Sequence, residues 1–179
     1  MKKTVIGIIG TVASGKDLLG EYLSKKLEIP IFQISQPIID TAKKRGIPLT
    51  RKNTTKFAQE FAREFGEDYS ARIYLEKITD KGIITGMRQL AQIDYLKKNS
   101  NLILIAIDAE PEIRFQRAKE RNKIKEATTL KEFIQDEKEE NSGDNVQKIF
   151  NCIKLADYKI NNNSTLDELY SKIDKIIKK

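Results

Sequence analysis

Short apolar runs rich in β-branched residues recur along the chain and predict five strands. They cover residues 4–9, 29–34, 82–85, 102–108 and 158–161. The fourth run reads Leu-Ile-Leu-Ile-Ala-Ile before Asp108, without a polar position that would face solvent. Such a pattern is typical of a strand buried on both faces, as in a parallel sheet covered by helices.

Apolar residues at helical spacing lie between these runs. One amphipathic helix follows the first run, and a second ends at Gly66, because glycine is a common helix stop signal. A third begins near Pro111, which suits a first helical turn. A fourth, polar helix begins at Thr129, where Glu132 completes a capping box, and the last begins at Thr165.

The alternation of strands and helices predicts βαβ units joined by right-handed crossovers. The sequence has no internal repeat and no sharp change of composition. We therefore expect residues 1–179 to form one three-layer α/β domain, with helical insertions near residues 36–80 and 120–145.

Composition narrows the possible functions. The chain has 39% hydrophobic and 33% charged residues, which indicates a soluble globular protein, and no apolar run is long enough to cross a membrane. Cys152 is the only cysteine, so an internal disulfide is impossible and a reducing, cytoplasmic location is expected. The absence of histidine excludes His-based acid–base catalysis and His metal sites.

The net charge of +7 favours anionic ligands. The lysines are scattered along the chain among Asp and Glu, without a basic stripe interleaved with aromatic residues. This distribution does not favour a nucleic-acid partner, and it also fits a lysine-rich solvated surface.

A phosphate-binding loop is the most specific motif. The first seven positions of the P-loop pattern are matched by Gly10-Thr11-Val12-Ala13-Ser14-Gly15-Lys16. A predicted strand precedes the motif and a predicted helix follows it, as phosphate binding on backbone N–H groups requires. Lys16 is placed to reach the β- and γ-phosphates of a nucleotide. The alternative is a glycine-containing strand-to-helix turn without a ligand.

The residue after the P-loop lysine departs from the pattern. Ser or Thr is expected there as a Mg²⁺ ligand, and this chain has Asp17. The Asp17 carboxylate is a hard oxygen ligand for Mg²⁺, held directly or through water. Alternatively, it only stabilises the positive N-terminus of the helix.

Two groups of arginines lie where a transferred phosphate would be held. Arg88 follows the third predicted strand, and ligands of open α/β sheets bind beyond the carboxyl ends of strands. Arg114, Arg117 and Arg121 share one face of the helix after the fourth strand, although surface pairing with nearby glutamates also explains Arg114. The charged segment that follows Arg121 is either a lid over the phosphates or a solvated helix.

The insertion after the second strand supplies candidates for acceptor binding. Arg63 shares a helix face with Gln59, and together they are placed to contact an acceptor. Each is equally explained as a surface residue.

These motifs together resemble the nucleoside monophosphate kinase and dephospho-coenzyme A kinase group of P-loop kinases. The resemblance covers nearly the whole chain. Its elements are the glycine loop, Thr85-Gly86-Met87-Arg88, Arg117-x-x-x-Arg121 after a strand that ends in Asp108, and Ala156-Asp157-Tyr158-Lys159-Ile160-Asn161 before the final helix.

The resemblance implies a five-stranded parallel sheet, a lid over about residues 118–145 and an acceptor-binding insertion over about 36–80. It also implies ATP and Mg²⁺ as cofactors, with ATP or GTP as the donor. Lys16, Arg88, Arg117 and Arg121 would serve catalysis, and the chain around Asn161 would lie near adenine. Arg63, Gln59 and Arg88 would contact a nucleotide-like acceptor, and the protein would be a monomer or a homodimer.

Two departures from these relatives weaken the expectation of catalysis. The relatives often carry an aspartate at the end of the second strand, where this chain has Ser35-Gln36-Pro37, and another where it has Thr85. A non-catalytic nucleotide-binding module is therefore the main alternative hypothesis. A nucleic-acid-processing ATPase is a third hypothesis that rests on the positive charge alone.

Overall fold

A five-stranded parallel sheet is the centre of the computed structural model, which describes residues 2–121, 127–142 and 148–177. The strands are β1 (Thr4–Gly10), β2 (Ile31–Gln33), β3 (Lys81–Thr85), β4 (Asn101–Asp108) and β5 (Tyr158–Asn161). Their order across the sheet is β2-β3-β1-β4-β5, and every neighbouring pair is parallel. The predicted fold class is confirmed, and the five apolar runs correspond one to one with the strands.

Helices connect the strands in the described part of the chain. They are α1 (Lys16–Leu27), α2 (Gln36–Lys44), α3 (Arg51–Phe65), α4 (Tyr69–Lys77), α5 (Leu90–Asn99), α6 (Pro111–Glu120), α7 (Leu130–Glu140), α8 (Ile149–Lys154) and α9 (Leu166–Ile177). None of these described helices combines the length and the apolar content that crossing a membrane requires.

The alternating side chains of β1 divide the core into two layers. Val5 and Ile9 face a layer completed by residues of α4, α5 and α8. Ile6 and Ile8 face the opposite layer, which α1 and α9 complete. This division follows from the twofold side-chain period of a strand, and it explains why β1 is apolar throughout.

Cys152 lies in the first of these layers and is fully buried. Burial raises the pKa of its thiol to about 12, because the apolar surroundings disfavour the thiolate. The thiol is therefore protonated and unreactive at neutral pH.

The predicted insertion over residues 36–80 contains two different kinds of helix. α2 and α3 pack on each other through a small cluster centred on Ala42, Phe57 and Phe61. Tyr74 and Ile78 instead extend the main core from α4 and the residue that follows it. The separate helical pair beside the sheet is thus limited to α2 and α3.

The predicted polar helix after Thr129 is observed as α7. Thr129 Oγ1 accepts a hydrogen bond from the N–H of Glu132, and the Glu132 carboxylate returns to the N–H of Thr129, which confirms the capping box. Phe133 is fully buried against the ring of Phe115 on α6. One side of the helix therefore packs on the protein, while the charged residues of its other side are exposed, and the lid stays a prediction. The predicted lid residues 122–126 and 143–145 lie outside the described part of the chain.

Candidate active site

The glycine loop joins the central strand β1 to α1 at the carboxyl edge of the sheet. Within it, the N–H of Ser14 donates to the carbonyl of Thr11 over 3.3 Å. Ala13 and Gly15 adopt left-handed backbone conformations, with φ of 60° and 104°. The loop thereby turns its backbone into the N-terminus of α1, where N–H groups and the helix dipole favour an anion.

The two glycines of the loop are required by close contacts. A Cβ atom on Gly10 would lie 2.2 Å from the carbonyl oxygen of Ile107 on β4. On Gly15 it would lie 2.5 Å from the side-chain nitrogen of Asn162, in addition to the strain of the positive φ. The P-loop pattern thus has a steric basis in this chain.

Asp108 holds the beginning of the loop from the end of β4. Thr11 Oγ1 donates to Asp108 Oδ1 over 2.5 Å, and the N–H of Ala109 donates to the same oxygen over 2.9 Å. The structure places Asp108 as a support of the glycine loop, because its carboxylate engages a loop side chain.

Asn162 holds the end of the loop, and sequence analysis did not single it out. Its side-chain Nδ2 donates to the carbonyl of Ser14 over 2.8 Å, and the residue is 2% exposed. The predicted neighbour, Asn161, is exposed at the end of β5, and its Oδ1 accepts from the N–H of Asn163. The alternation of side chains along a strand was the available signal, since it turns adjacent residues to opposite sides.

Arg114 connects the loop to α7. Its guanidinium donates to the carbonyl of Val12 over 3.3 Å and forms two hydrogen bonds of 2.8 Å with the carboxylate of Glu137. Arg114 is 3% exposed and Glu137 6% exposed. Surface pairing of Arg114 with Glu110 or Glu120 is therefore wrong: its partner carboxylate comes from α7, which buries it.

Lys16 and Asp17 open α1 beside a large cavity. Lys16 Nζ lies 3.8 Å from Asp17 Oδ1, and the two side chains are 16% and 35% exposed. A Cβ on Gly86 would lie 4.0 Å from Lys16 Cε, so the lysine chain runs past the turn after β3. The side chain of Lys16, which is expected to contact the donor phosphates, thus extends to the end of the neighbouring strand β3.

The cavity has a volume of about 680 Å³ and extends from the loop to α2 and α3. Its lining comes from the glycine loop, the ends of β2 and β3, the helical pair, the start of α5, Arg121 and the end of α7. Besides the glycine loop, the lining residues include Asp17, Gln33, Ile34, Ser35, Ile38, Ile39, Leu49, Thr54, Thr55, Ala58, Thr85, Arg88, Gln89, Gln92, Arg121 and Glu140. A volume of this size suits a drug-sized ligand.

Arg88 lines this cavity, and hydrogen bonds hold both its backbone N–H and its backbone carbonyl. Its N–H donates to Gln92 Oε1 over 3.1 Å, within the capping box of α5, and its carbonyl accepts from the N–H of Lys148 over 2.7 Å. Its side chain pairs with Glu140 of α7 at 3.6 Å. Arg88 therefore has a backbone held by two hydrogen bonds and a guanidinium paired with the carboxylate of Glu140.

The predicted lid arginines have different surroundings. Arg121 lines the cavity. Arg117 donates to the carbonyl oxygens of Asn162, at 2.9 Å, and of Ser164, at 3.4 Å. Burial, followed by the charge of Arg121, lowers the pKa of Arg117 below its ordinary value. Arg117 thus lies beside the segment that holds the glycine loop, whereas Arg121 faces the cavity.

The predicted acceptor residues of α3 are not among those that line the cavity. Arg63 is exposed, and Gln59 is half-buried outside the lining. Thr54, Thr55 and Ala58 occupy the cavity side of this helix instead. The role of Arg63 and Gln59 stays a prediction.

The two positions without the expected aspartate do face the cavity. Ser35 and the buried Thr85 line it at the ends of β2 and β3. Gln36 is absent from the described lining, and its side-chain amide donates to Asp40. These hydroxyl groups therefore occupy the two positions at which the family resemblance leads us to expect an aspartate.

A magnesium ion fits this arrangement through Asp17. Among the described residues, no three His, Cys, Asp or Glu side chains come together as a ready-made metal site. Mg²⁺ is commonly held by one or two carboxylates, substrate phosphates and water. The partly exposed carboxylate of Asp17, beside Lys16 at the cavity, supplies the protein ligand that such a shell requires.

The sheet order, the glycine loop and the helices around it define a P-loop kinase-like fold. The chain belongs to the AAA domain family, whose model AAA_18 matches residues 6–142, and to the UPF0200 proteins. It is 30% identical to the UPF0200 protein MJ1399 of Methanocaldococcus jannaschii, over 97% of this chain and 88% of that protein. It is also 30% identical to the UPF0200 protein PH1008 of Pyrococcus horikoshii, over 98% of this chain and 96% of that protein.

Solved kinase structures share the fold. The shikimate kinase of Acinetobacter baumannii, in complex with shikimate, has a TM-score of 0.65 at 16% identity, over 98% of this chain and 93% of that one. The gluconokinase of Sinorhizobium meliloti has a TM-score of 0.51 at 14% identity, over 92% and 86% of the two chains. At these identities the likeness shows the fold alone.

Proposed function

We propose that this protein is an ATP-dependent kinase that transfers the γ-phosphate to a small, nucleotide-like acceptor. The observation that carries the proposal is the cavity itself, because one space is lined by the glycine loop with Lys16 and by Arg88 and Arg121. Phosphoryl transfer depends on positioning and on positive charge around the transferred group. The acceptors we consider are dephospho-coenzyme A and a nucleoside monophosphate, and GTP is the alternative donor.

The residues have distinct roles in this proposal. The backbone from Gly10 to Gly15 holds the β-phosphate, and Lys16 contacts the β- and γ-phosphates. Asp17 holds Mg²⁺, which neutralises charge on the phosphates when bound. Arg88 and Arg121 bind the acceptor and the transferred group, and arginine suits both because its planar fork binds phosphate oxygens in pairs.

Arg117 and Asn161 are assigned to the adenosine end of ATP. Both lie beside Asn162, which contacts the far end of the glycine loop. The domain assignment follows from these roles: residues 1–179 form one kinase domain, with the acceptor between the sheet and the α2–α3 pair and α7 as part of the lid.

A non-catalytic nucleotide-binding module is the second candidate. Ser35 and Thr85 favour it, because neither replaces the carboxylate that relatives use to orient magnesium or an acceptor hydroxyl. This module would bind ATP through the same loop without producing ADP.

Two measurements separate these candidates. ATP with Mg²⁺ should raise the melting temperature, and Lys16→Ala should abolish the rise, whereas Lys25→Ala, at an exposed position of α1, should retain it. A coupled ADP-release assay over nucleoside monophosphates and dephospho-coenzyme A should then show turnover by the native protein. A stabilised protein that releases no ADP with any acceptor would identify the binding module.

A further inference from the structure

We propose that the acceptor is a phosphate monoester with an apolar or aromatic body, of the nucleoside monophosphate type, and not an alcohol. The inference rests on the proposed kinase function and concerns the reacting atom of the acceptor. It follows from which charged groups the described part of the cavity contains, and from what each of them already contacts.

An alcohol acceptor requires a base to remove its proton as the new bond forms. The chain has no histidine, and the carboxylates among the described lining residues are Asp17 and Glu140. Asp17 lies beside Lys16 at the donor phosphates, and Glu140 is paired with Arg88. The strand ends that face the acceptor space present the hydroxyls of Ser35 and Thr85. Neither hydroxyl is a base at neutral pH.

A phosphate monoester needs no such base. Its second pKa is about 6, so most of it enters the site as a dianion at pH 7.5. The attacking oxygen is then already charged, and the protein has to neutralise and orient it. Arginines do this, and Arg88 and Arg121 both line the cavity.

The ion pair between Arg88 and Glu140 shows that an anionic group fits beside Arg88 in the cavity. The Glu140 carboxylate contacts Arg88 Nη1 at 3.6 Å, and its side chain is 12% exposed. The Arg88 backbone is hydrogen-bonded to Gln92 and Lys148, so the base of this side chain is held in place. We infer that the acceptor phosphate replaces the Glu140 carboxylate on Arg88.

The remaining walls suit the body of the acceptor. Gln33, Gln89 and Gln92 contribute amide groups to the cavity lining. The walls formed by α2, α3 and their flanks are mainly aliphatic, with Ile34, Ile38, Ile39, Leu49 and Ala58 beside Ser35, Thr54 and Thr55. A flat, largely apolar group such as a nucleobase would fit them, with the threonine hydroxyls as hydrogen-bonding partners.

The chemical step is then balanced without proton transfer. A phosphate oxygen of the acceptor forms a bond to the γ-phosphorus of ATP, and the bond from that phosphorus to the β,γ-bridging oxygen breaks. ADP leaves with the bond's electron pair, and the product is a diphosphate. Arg88 and Arg121 counter the charge of the acceptor, while Lys16 counters the charge on the leaving side.

Product analysis by ³¹P NMR tests the proposal directly. The native protein with ATP and Mg²⁺ is incubated with nucleoside monophosphates and, separately, with the matching nucleosides, dephospho-coenzyme A and shikimate. We expect new diphosphate signals from the monophosphates and no new phosphate ester from the alcohols. New esters without diphosphates would overturn the inference and leave the kinase assignment standing. Absence of turnover with both sets, while ATP still stabilises the protein, would overturn both.

Variants of the anion site give a second test. Arg88→Gln should raise the KM of the monophosphate about tenfold or more, because a charge-assisted contact is lost. Arg45→Gln, at an exposed arginine of the α2 end, is the matched control. Glu140→Gln should leave kcat within about threefold and leave the KM unchanged or lower, compared with Glu139→Gln. A kcat loss of about 100-fold or more in Glu140→Gln would identify this carboxylate as a base and overturn the inference.

Discussion

Three side chains from the second half of the chain contact the glycine loop, each at a different residue. Asp108 contacts Thr11, Arg114 contacts Val12, and Asn162 contacts Ser14. In the proposed function the loop binds phosphate through its backbone N–H groups, and the positions of these groups depend on the three contacts. The side chains that pattern matching does not include therefore contribute to affinity for the nucleotide.

Removal of the Asn162 amide should weaken ATP binding. Asn162→Ala deletes the donor to the Ser14 carbonyl, and we expect a loss of about 1 kcal/mol, or roughly fivefold in Kd. Isothermal titration calorimetry with ATP and Mg²⁺ provides the measurement. Asn151→Ala, at an exposed asparagine of α8, is the control. An unchanged Kd for Asn162→Ala would show that the loop keeps its shape without this contact.

Asp17 is the residue that we propose as the magnesium ligand. If its carboxylate holds the ion, Asp17→Ser should keep Mg²⁺-dependent ATP binding, because it restores the residue of the P-loop pattern. Asp17→Ala should lose most of the difference between affinities measured with Mg²⁺ and with EDTA. If the alanine variant retained the full Mg²⁺ effect, the carboxylate would serve the helix N-terminus alone.

At the level of elements, α7 is attached to the nucleotide-binding loop through one buried ion pair. Arg114 and Glu137 form two hydrogen bonds, with the guanidinium also on the Val12 carbonyl. Glu140, one helical turn further along α7, pairs with Arg88. The helix α7 is thus linked to the glycine loop through Arg114 and to Arg88, the arginine that we propose to bind the acceptor, through Glu140.

Breaking the buried pair should be costly. Arg114→Ala leaves the Glu137 carboxylate buried without its partner, and we expect the free energy of unfolding to fall by about 3 kcal/mol. Urea denaturation measures it, with Lys131→Ala on the exposed side of α7 as control.

A double variant, Arg114→Ala with Glu137→Ala, should lose less than the sum of the single losses, because no charge is left unpaired. Additive losses would show that the two side chains act independently.

The same elements show what sequence can and cannot predict. Apolar runs predicted every strand of the sheet, since a strand buried on both faces needs a continuous apolar sequence. The capping residues Thr129 and Glu132 predicted the start of α7 because the motif is local. The partner of Arg114 was not predictable, since helical spacing does not reveal that α7 packs over this residue. It was likewise not predictable that α4 packs on the main core while α2 and α3 pack on each other, because this depends on tertiary contacts.

The site was predictable to the same extent. The glycine loop and Arg88 were found because local spacing places them at strand ends, where ligands bind in α/β sheets. Asn162 and Glu140 were not singled out, because their roles depend on contacts with residues far away in the sequence. Thr54, Thr55 and Ala58, and not Arg63, face the cavity because the rotation of α3 is set by its packing on α2.

Across the whole molecule, the buried Cys152 predicts a dependence of stability on alkaline pH. The raised pKa of this thiol means that the folded protein keeps its proton between about pH 9 and pH 12, whereas the unfolded chain releases it. The contribution of Cys152 to stability should therefore fall as the pH rises through that window.

Cys152→Ala should show a weaker alkaline decrease than the native protein when the free energies of unfolding at pH 7.5 and pH 9.5 are compared. Identical decreases would contradict the buried, protonated thiol. In the folded protein, thiol reagents should react slowly at pH 8.

The sheet brings a phosphate loop and two arginines to one cavity, and on this arrangement the proposed kinase function depends. The most direct test follows the label from [γ-³²P]ATP in a single turnover, with the protein in excess over ATP and a nucleoside monophosphate present. The account predicts that the native protein moves the label onto the acceptor and that Lys16→Ala, at equal concentration, does not. Label that stays on ATP, or that is released only as inorganic phosphate at the same rate with and without acceptor, would contradict it.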